Sequence, residues 1–291
     1  MQGNNLPVLT AIIGAVMWGL LWLPIRLLEE AGLHGIWSSV ALTLGTLPIL
    51  APLAFMGKPG PALARKAVFG ALLTGTTIIL YGTSLVLTDV VRAVLLFYMA
   101  PVWSTIIECV FMGRRWTRYS TLALLFSFTG VVFIFRGNLA LTDWNTGDIL
   151  AAAAGLGWAI GTALIFTGPP QDTRKLVLLT AIGGLSAAIP VVLSAPDFPP
   201  VEAISAATST SLGFGLLYFA PVLLITIWSA QRLPPALMSF LLTAEIISGV
   251  VSSAIMLDEP FGWPEAIGAL LVGCGAVVEV IAQNKRARSQ S

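Results

Sequence analysis

Three carboxylates, Glu108, Glu245 and Glu279, stand inside long apolar runs of this 291-residue chain. Glu245 is the most isolated, because no other charge occurs between Pro235 and Leu257. A bare charge at mid-depth in a lipid bilayer costs about 2.5–3.5 kcal/mol on insertion scales, so such a group must be protonated, paired or hydrated. Three chemistries are open to it: binding the amine of a small solute, carrying a proton between the two sides, or accepting hydrogen bonds from Ser, Thr or Trp of neighbouring helices. Glu108 lies about a turn short of the basic "GRR" segment that begins at Gly113 and is placed to bond locally to Arg114 or Arg115. Glu279 is near the end of the last apolar run, where a long side chain can snorkel to the interface.

Helical spacing gathers further groups onto the faces that carry these acids. Tyr81 and Ser84 continue a stripe through Thr74, Thr77 and Thr88; Tyr98 stands beside Pro101; Thr162 follows Trp158; Tyr218 precedes Pro221; Ser248 and Ser252 follow Glu245. Polar side chains are costly against lipid, so these faces should meet protein or water. Ser and Thr stripes also serve close helix packing. Mid-depth aromatics such as Trp18, Trp158, Tyr98 and Tyr218 suit an apolar cavity that receives aromatic or aliphatic groups, or an ammonium by cation–π attraction. The expected cavity set is therefore Trp18, Tyr81, Ser84, Tyr98, Trp158, Thr162, Tyr218, Glu245 and Ser248. Pro101 and Pro221 are expected hinges, and Asp89 with Arg92 an outer pair or gate. Proline inside a helix, together with Gly70, Gly75, Gly213 and Gly215, predicts hinges in the third, fourth, eighth and ninth apolar runs.

Other chemistries lack their residues. The chain has one histidine, His34, and no Ser/His pair, paired-aspartate motif or H-E-x-x-H. Cys109 and Cys274 have no disulfide or metal-ligand spacing, so no metal or cofactor is expected. A net charge of +1 argues against nucleic acid as a partner.

The elements that must position these groups follow from hydropathy. The chain is 57% hydrophobic and 10% charged, and its mean hydropathy is +0.91. A soluble core cannot hide so much apolar surface, which leaves lipid as the solvent. A membrane helix needs about 20 apolar residues. Ten such runs fall near 7–29, 36–56, 66–88, 90–112, 118–136, 147–167, 176–194, 210–230, 235–257 and 264–283. The first segment lacks the basic n-region of a signal peptide, so the first run is read as a retained helix. Of the 15 Lys and Arg, only Arg26, Arg92 and Arg136 fall on the side of the odd-numbered gaps. The positive-inside rule then puts both termini in the cytoplasm.

The two halves resemble each other. "YMAPVWSTIIECVFMGRRW" (98–116) aligns with "LLTAEIISGVVSSAIMLDEP" (241–260) at an offset of 144, which superposes Met112 on Met256 and Pro101 on Glu245. Five helices are an odd number, so the second copy must enter the bilayer inverted. The matching loops agree, since Arg114–Arg115 is basic where Asp258–Glu259 is acidic. The expected fold is an all-α membrane protein of ten transmembrane helices, built as two inverted five-helix repeats, 1–140 and 141–291, around a central cavity. Inverted repeats imply a secondary carrier with its site near the midplane.

Ten spans arranged as five plus five, Pro101 in the fourth span and a short turn before the fifth resemble the EamA-type branch of the drug/metabolite transporter superfamily. The resemblance covers essentially the whole chain. The acid that usually closes the fourth span is Glu259 in "MLDEP" but is replaced by Arg115 in "MGRRW", and the second copy has Glu245 in place of the proline. The resemblance implies export of amino acids and related small metabolites, aromatic or hydrophobic ones included, across a bacterial inner membrane by alternating access. Its partners would be a small-molecule substrate and membrane lipid, with proton coupling left open. The competing readings are a multidrug or other metabolite carrier, and a non-transporting receptor or scaffold.

Overall fold

The computed structural model describes residues 5–56, 62–88, 90–134, 144–194, 197–257 and 262–290, and these are helical with short connections. α1 (Leu6–Gly19) and α2 (Trp22–Glu30) are two halves of one apolar stretch, followed by α3 (Ile36–Phe55) and α4 (Arg65–Leu87). α5 (Val90–Phe97) and α6 (Ala100–Phe111) are again two halves, and α7 (Arg118–Ile134), α8 (Thr146–Phe166) and α9 (Thr173–Leu193) are continuous. α10 (Val201–Phe214) passes through a π-helical turn, Gly215–Phe219, into α11 (Ala220–Ala230). α12 (Pro235–Leu242) and α13 (Ala244–Leu257) divide at Thr243, and α14 (Trp263–Gln290) ends the bundle. Among the described residues, nine helical stretches are long and apolar enough to cross a membrane, and α7 is a shorter apolar helix. Large apolar side chains on the outside, such as Phe111, Leu217, Ile255 and Leu270, are exposed, as a lipid-facing surface requires. The expected repeat boundary at 140 and 141 lies outside the described residues, as do Asp89, Asp258 and Glu259.

The breaks have local causes. Pro101 and Pro221 occupy the first turns of α6 and α11, where proline's missing N–H is tolerated and its fixed φ suits a helix start. Pro235 opens α12 in the same way. The chain tightens at the other breaks: Leu20 N–H bonds to the Met17 carbonyl and Leu21 N–H to that of Trp18, both at 3.0 Å. These are i→i−3 bonds, the usual pattern where an α-helix is interrupted. Ile246 N–H reaches the Thr243 carbonyl at 3.2 Å at the α12–α13 break.

One expectation about breaks needs correction. α4 runs unbroken through Gly70 and Gly75. Those glycines admit neighbouring backbone: a Cβ on Gly75 would stand 1.8 Å from the Thr180 carbonyl oxygen, and one on Gly70 2.7 Å from that of Gly161. The α1–α2 break was not among the expected hinges, although Pro24 in the first turn of α2 lacks the N–H that would bond the Leu20 carbonyl.

Helix pairing is systematic. α4 lies along α8 and α9, while the α10–π segment lies on α3 and α11 on α1. α3 packs on α9, and α7 on α14. α8 contacts α5 and α6, while α1 contacts α12 and α13; α6 meets α12 between them. The α7–α14 contact is backbone-close, since a Cβ on Gly130 would be 2.7 Å from the Gly268 carbonyl oxygen. Small residues at such crossings let dispersion and weak polar contacts hold helices together without a hydrophobic driving force.

Candidate functional site

Where the broken helices meet, the bundle encloses a cavity of about 880 Å³. Its deep end is walled by Pro101 of α6, Trp158 of α8 and Ser239 of α12. From there it runs past Trp18, Tyr81, Phe97, Tyr98 and Glu245 to Arg26, Glu29 and Gly35 at the α2–α3 connection. On α6 only Ala100 and Pro101 reach the wall, so the cavity stops one turn into that helix.

Glu245 sits in the first turn of α13, where the positive end of the helix dipole favours an anion. The Tyr98 hydroxyl, from the α5–α6 break, donates to Glu245 Oε1. The two breaks thus face each other and place a hydroxyl on a carboxylate. Around them is an aromatic wall. Tyr81 stacks on Phe97 at 4.2 Å between ring centroids, and Phe97 meets Tyr98 edge-on at 5.7 Å. Trp18 Nε1–H donates to Thr226 Oγ1 and Trp22 Nε1–H to Ser252 Oγ, both at 2.9 Å. These bonds hold both indoles in place at the wall.

Of the expected cavity residues, Trp18, Tyr81, Tyr98, Trp158 and Glu245 line this space, as does Pro101. Four others stand outside the wall. Ser84 Oγ donates to the Tyr81 carbonyl at 2.7 Å, and Thr162 Oγ1 to the Trp158 carbonyl at 2.8 Å. Tyr218 donates to the Met17 carbonyl on α1, and Ser248 Oγ to the Val16 carbonyl at 3.1 Å. Their polar groups are satisfied by backbone: Ser84 and Thr162 turn to carbonyls of their own helices, while Tyr218 and Ser248 tie their helices to α1. Pro221 lies directly after the π turn, away from the wall. Arg92 bonds to Asp148 of α8, which also accepts from Thr88 Oγ1 at 2.7 Å. The pairing expected for Arg92 with Asp89 falls outside the described residues.

Sequence reasoning did not single out Ser239, Thr243 or Glu29 for the wall. Thr243 had one signal, its position just before Glu245, where an acid follows a helix end.

Beyond the deep end a second polar cluster ties the helices together. Ser104 Oγ and Ser239 Oγ share a hydrogen bond of 2.8 Å. Glu108 Oε1 accepts the Ala236 N–H at 2.6 Å, capping α12. Arg114 bonds to Glu108 Oε2 at 2.5 Å and to Glu279 Oε1 at 2.7 Å. All three side chains are buried. Glu108 therefore pairs locally with Arg114, one of the two partners expected. The snorkelling expected for Glu279 is corrected: Gly113, at φ +70°, turns the chain after α6, and Arg114 reaches inward to meet the acid.

Residues 5–136 match the EamA-like transporter family. The chain is 22% identical over 295 positions to an uncharacterized transporter, YoaV, of Bacillus subtilis (strain 168), covering 96% of this chain and 98% of that one. A protein solved by crystallography shares the fold at a TM-score of 0.67, over 94% of this chain and 97% of that one, with 18% identity.

Proposed function

We propose that this chain is a membrane transporter of the EamA-like family, working as a secondary carrier that exports amino acids and related small metabolites. In this reading it spans a bacterial inner membrane with ten helices and has both termini in the cytoplasm. The substrate sits beside Glu245, and the two five-helix halves rock to expose it to one side at a time.

The observation that carries the reading is the aromatic cavity of about 880 Å³ that reaches mid-bundle from one end. Its closed end is tied by the Ser104–Ser239 and Glu108–Ala236 bonds. The helix pairing supports an inverted repeat. Exchanging the first five stretches with the second five turns α4 on α8 into α11 on α1, and α6 on α8 into α13 on α1, while α3 on α9 and α7 on α14 map onto themselves and α6 on α12 becomes α13 on α5. Under that exchange, opening the closed end requires α6 to part from α12 while α13 closes on α5.

The test is efflux from proteoliposomes loaded with each labelled amino acid. Protein-dependent efflux of aromatic or large aliphatic amino acids is expected. No protein-dependent efflux of any amino acid would refute the substrate assignment. The cavity volume favours one second reading, a carrier of bulkier organic solutes, because it lies in the range of drug-sized sites. Efflux of amphipathic dyes without efflux of amino acids would select it.

A further inference from the structure

We infer that the cavity selects organic monocations, amines whose body is aromatic or apolar, over zwitterions of the same body. The inference rests on the reading of this cavity as the transport site.

It follows from the charges and donors on the wall. Glu245 is the one charged side chain at the aromatic level of the cavity among the described residues. The other charges on the wall, Arg26 and Glu29, are exposed at the mouth, and Arg26 Nε bonds to Glu30 at 3.3 Å. Among the described residues, no lysine, arginine or histidine lines the deep part. An ammonium placed there meets the carboxylate beside the aromatic wall of Tyr81, Phe97 and Tyr98, a setting that attracts cations more strongly as water is excluded.

A substrate carboxylate in the same place has no comparable partner. Most hydrogen-bond donors on the wall are already used. Trp18 and Trp22 donate to Thr226 and Ser252. Thr77 donates to the Thr74 carbonyl, Thr243 to that of Phe240, and Ser253 to that of Val250. Ser239 is shared with Ser104, and Tyr98 is on Glu245 itself. Ser39, Tyr81 and Trp158 are left, all uncharged. A zwitterion therefore gains one charged contact and loses hydration at its other end, close to Glu245 of the same sign. Removing or neutralising that carboxylate makes the ligand fit.

The test uses the full-length protein in lipid nanodiscs and isothermal titration with four phenyl probes: phenethylamine, phenylalanine amide, phenylalanine and N-acetylphenylalanine. The two monocations are expected to bind tighter than phenylalanine by about tenfold or more, the ratio set by one unreplaced contact to a charged group. N-acetylphenylalanine is expected not to bind. Glu245→Gln should reduce the advantage of the amines, and Glu245→Asp should keep it. Phenylalanine binding as tightly as its amide, or binding of the N-acetyl acid, would overturn the inference even if Glu245→Gln fails to fold. Binding of none of the four also overturns it. In that case protein-dependent efflux of some other solute from liposomes would leave the transport reading standing, and absence of all efflux would remove both.

Discussion

Tyr98 and Glu245 come from different halves of the chain and meet at two helix breaks, so each is held by structure that the other does not supply. Tyr98→Phe removes the hydroxyl and keeps the ring. A hydrogen bond to a charged group is worth about 1.5–3 kcal/mol, so the variant should weaken binding of an amine probe by about tenfold in titration while the protein still folds. Unchanged affinity would mean that the hydroxyl does not position the carboxylate. At Arg114 the expected effect is on stability. Arg114→Met leaves Glu108 and Glu279 buried without their guanidinium, and breaking such a pair costs about 3–5 kcal/mol. Thermal unfolding in detergent should shift down clearly, and adding Glu279→Gln should restore part of the loss. Residue types made Glu245, Tyr98, Trp18 and Trp158 legible as cavity groups, because a charge or a large aromatic at mid-depth has few other uses. Ser84, Thr162 and Ser248 lay on faces adjoining the same cavity, but a hydroxyl can turn to a carbonyl three or four residues back in its own helix. Periodicity gives the face of a side chain and not the direction of its hydroxyl.

At the scale of helices, the breaks beside the cavity are the candidates for movement. Pro101→Ala restores an amide donor at the start of α6 and favours a continuous α5–α6 helix. Transport should slow more than probe binding weakens, measured as liposome flux against titration on the same preparation. Equal loss in both would mean that Pro101 shapes the pocket and does not serve movement. Gly75→Leu tests the opposite property of α4. Its Cβ would enter the Thr180 carbonyl oxygen's space, so the melting temperature should fall or the protein should not assemble. Proline signalled the breaks at Pro101 and Pro221, yet Pro48, Pro52 and Pro190 sit inside unbroken helices. The break at Leu20 lies four residues before Pro24, which has no N–H for the Leu20 carbonyl. The break at Thr243 has no proline within α13, and there the bend around the cavity is a tertiary effect without a local code.

For the whole molecule, hydropathy was enough to find the helical stretches, since lipid solvation requires long apolar helices with internal hydrogen bonds. Within the run at 118–136, α7 spans Arg118–Ile134 and is the shorter apolar helix among the described residues. The order in which the helices pack was less legible. The internal similarity implied an inverted pairing, but it did not say which helices touch, such as α1 on α13 and α8 on α6. The proposed topology predicts that cysteines placed at the two termini label from the same face of sealed vesicles. The account depends most on one cavity being reached from both sides of the membrane in turn. The direct test is a single cysteine at Thr243, in protein lacking Cys109 and Cys274, reconstituted in one orientation and challenged with a membrane-impermeant thiol reagent. The account predicts labelling from either face, with a bound amine substrate changing the ratio of the two rates. Labelling confined to one face under all substrate conditions would contradict it.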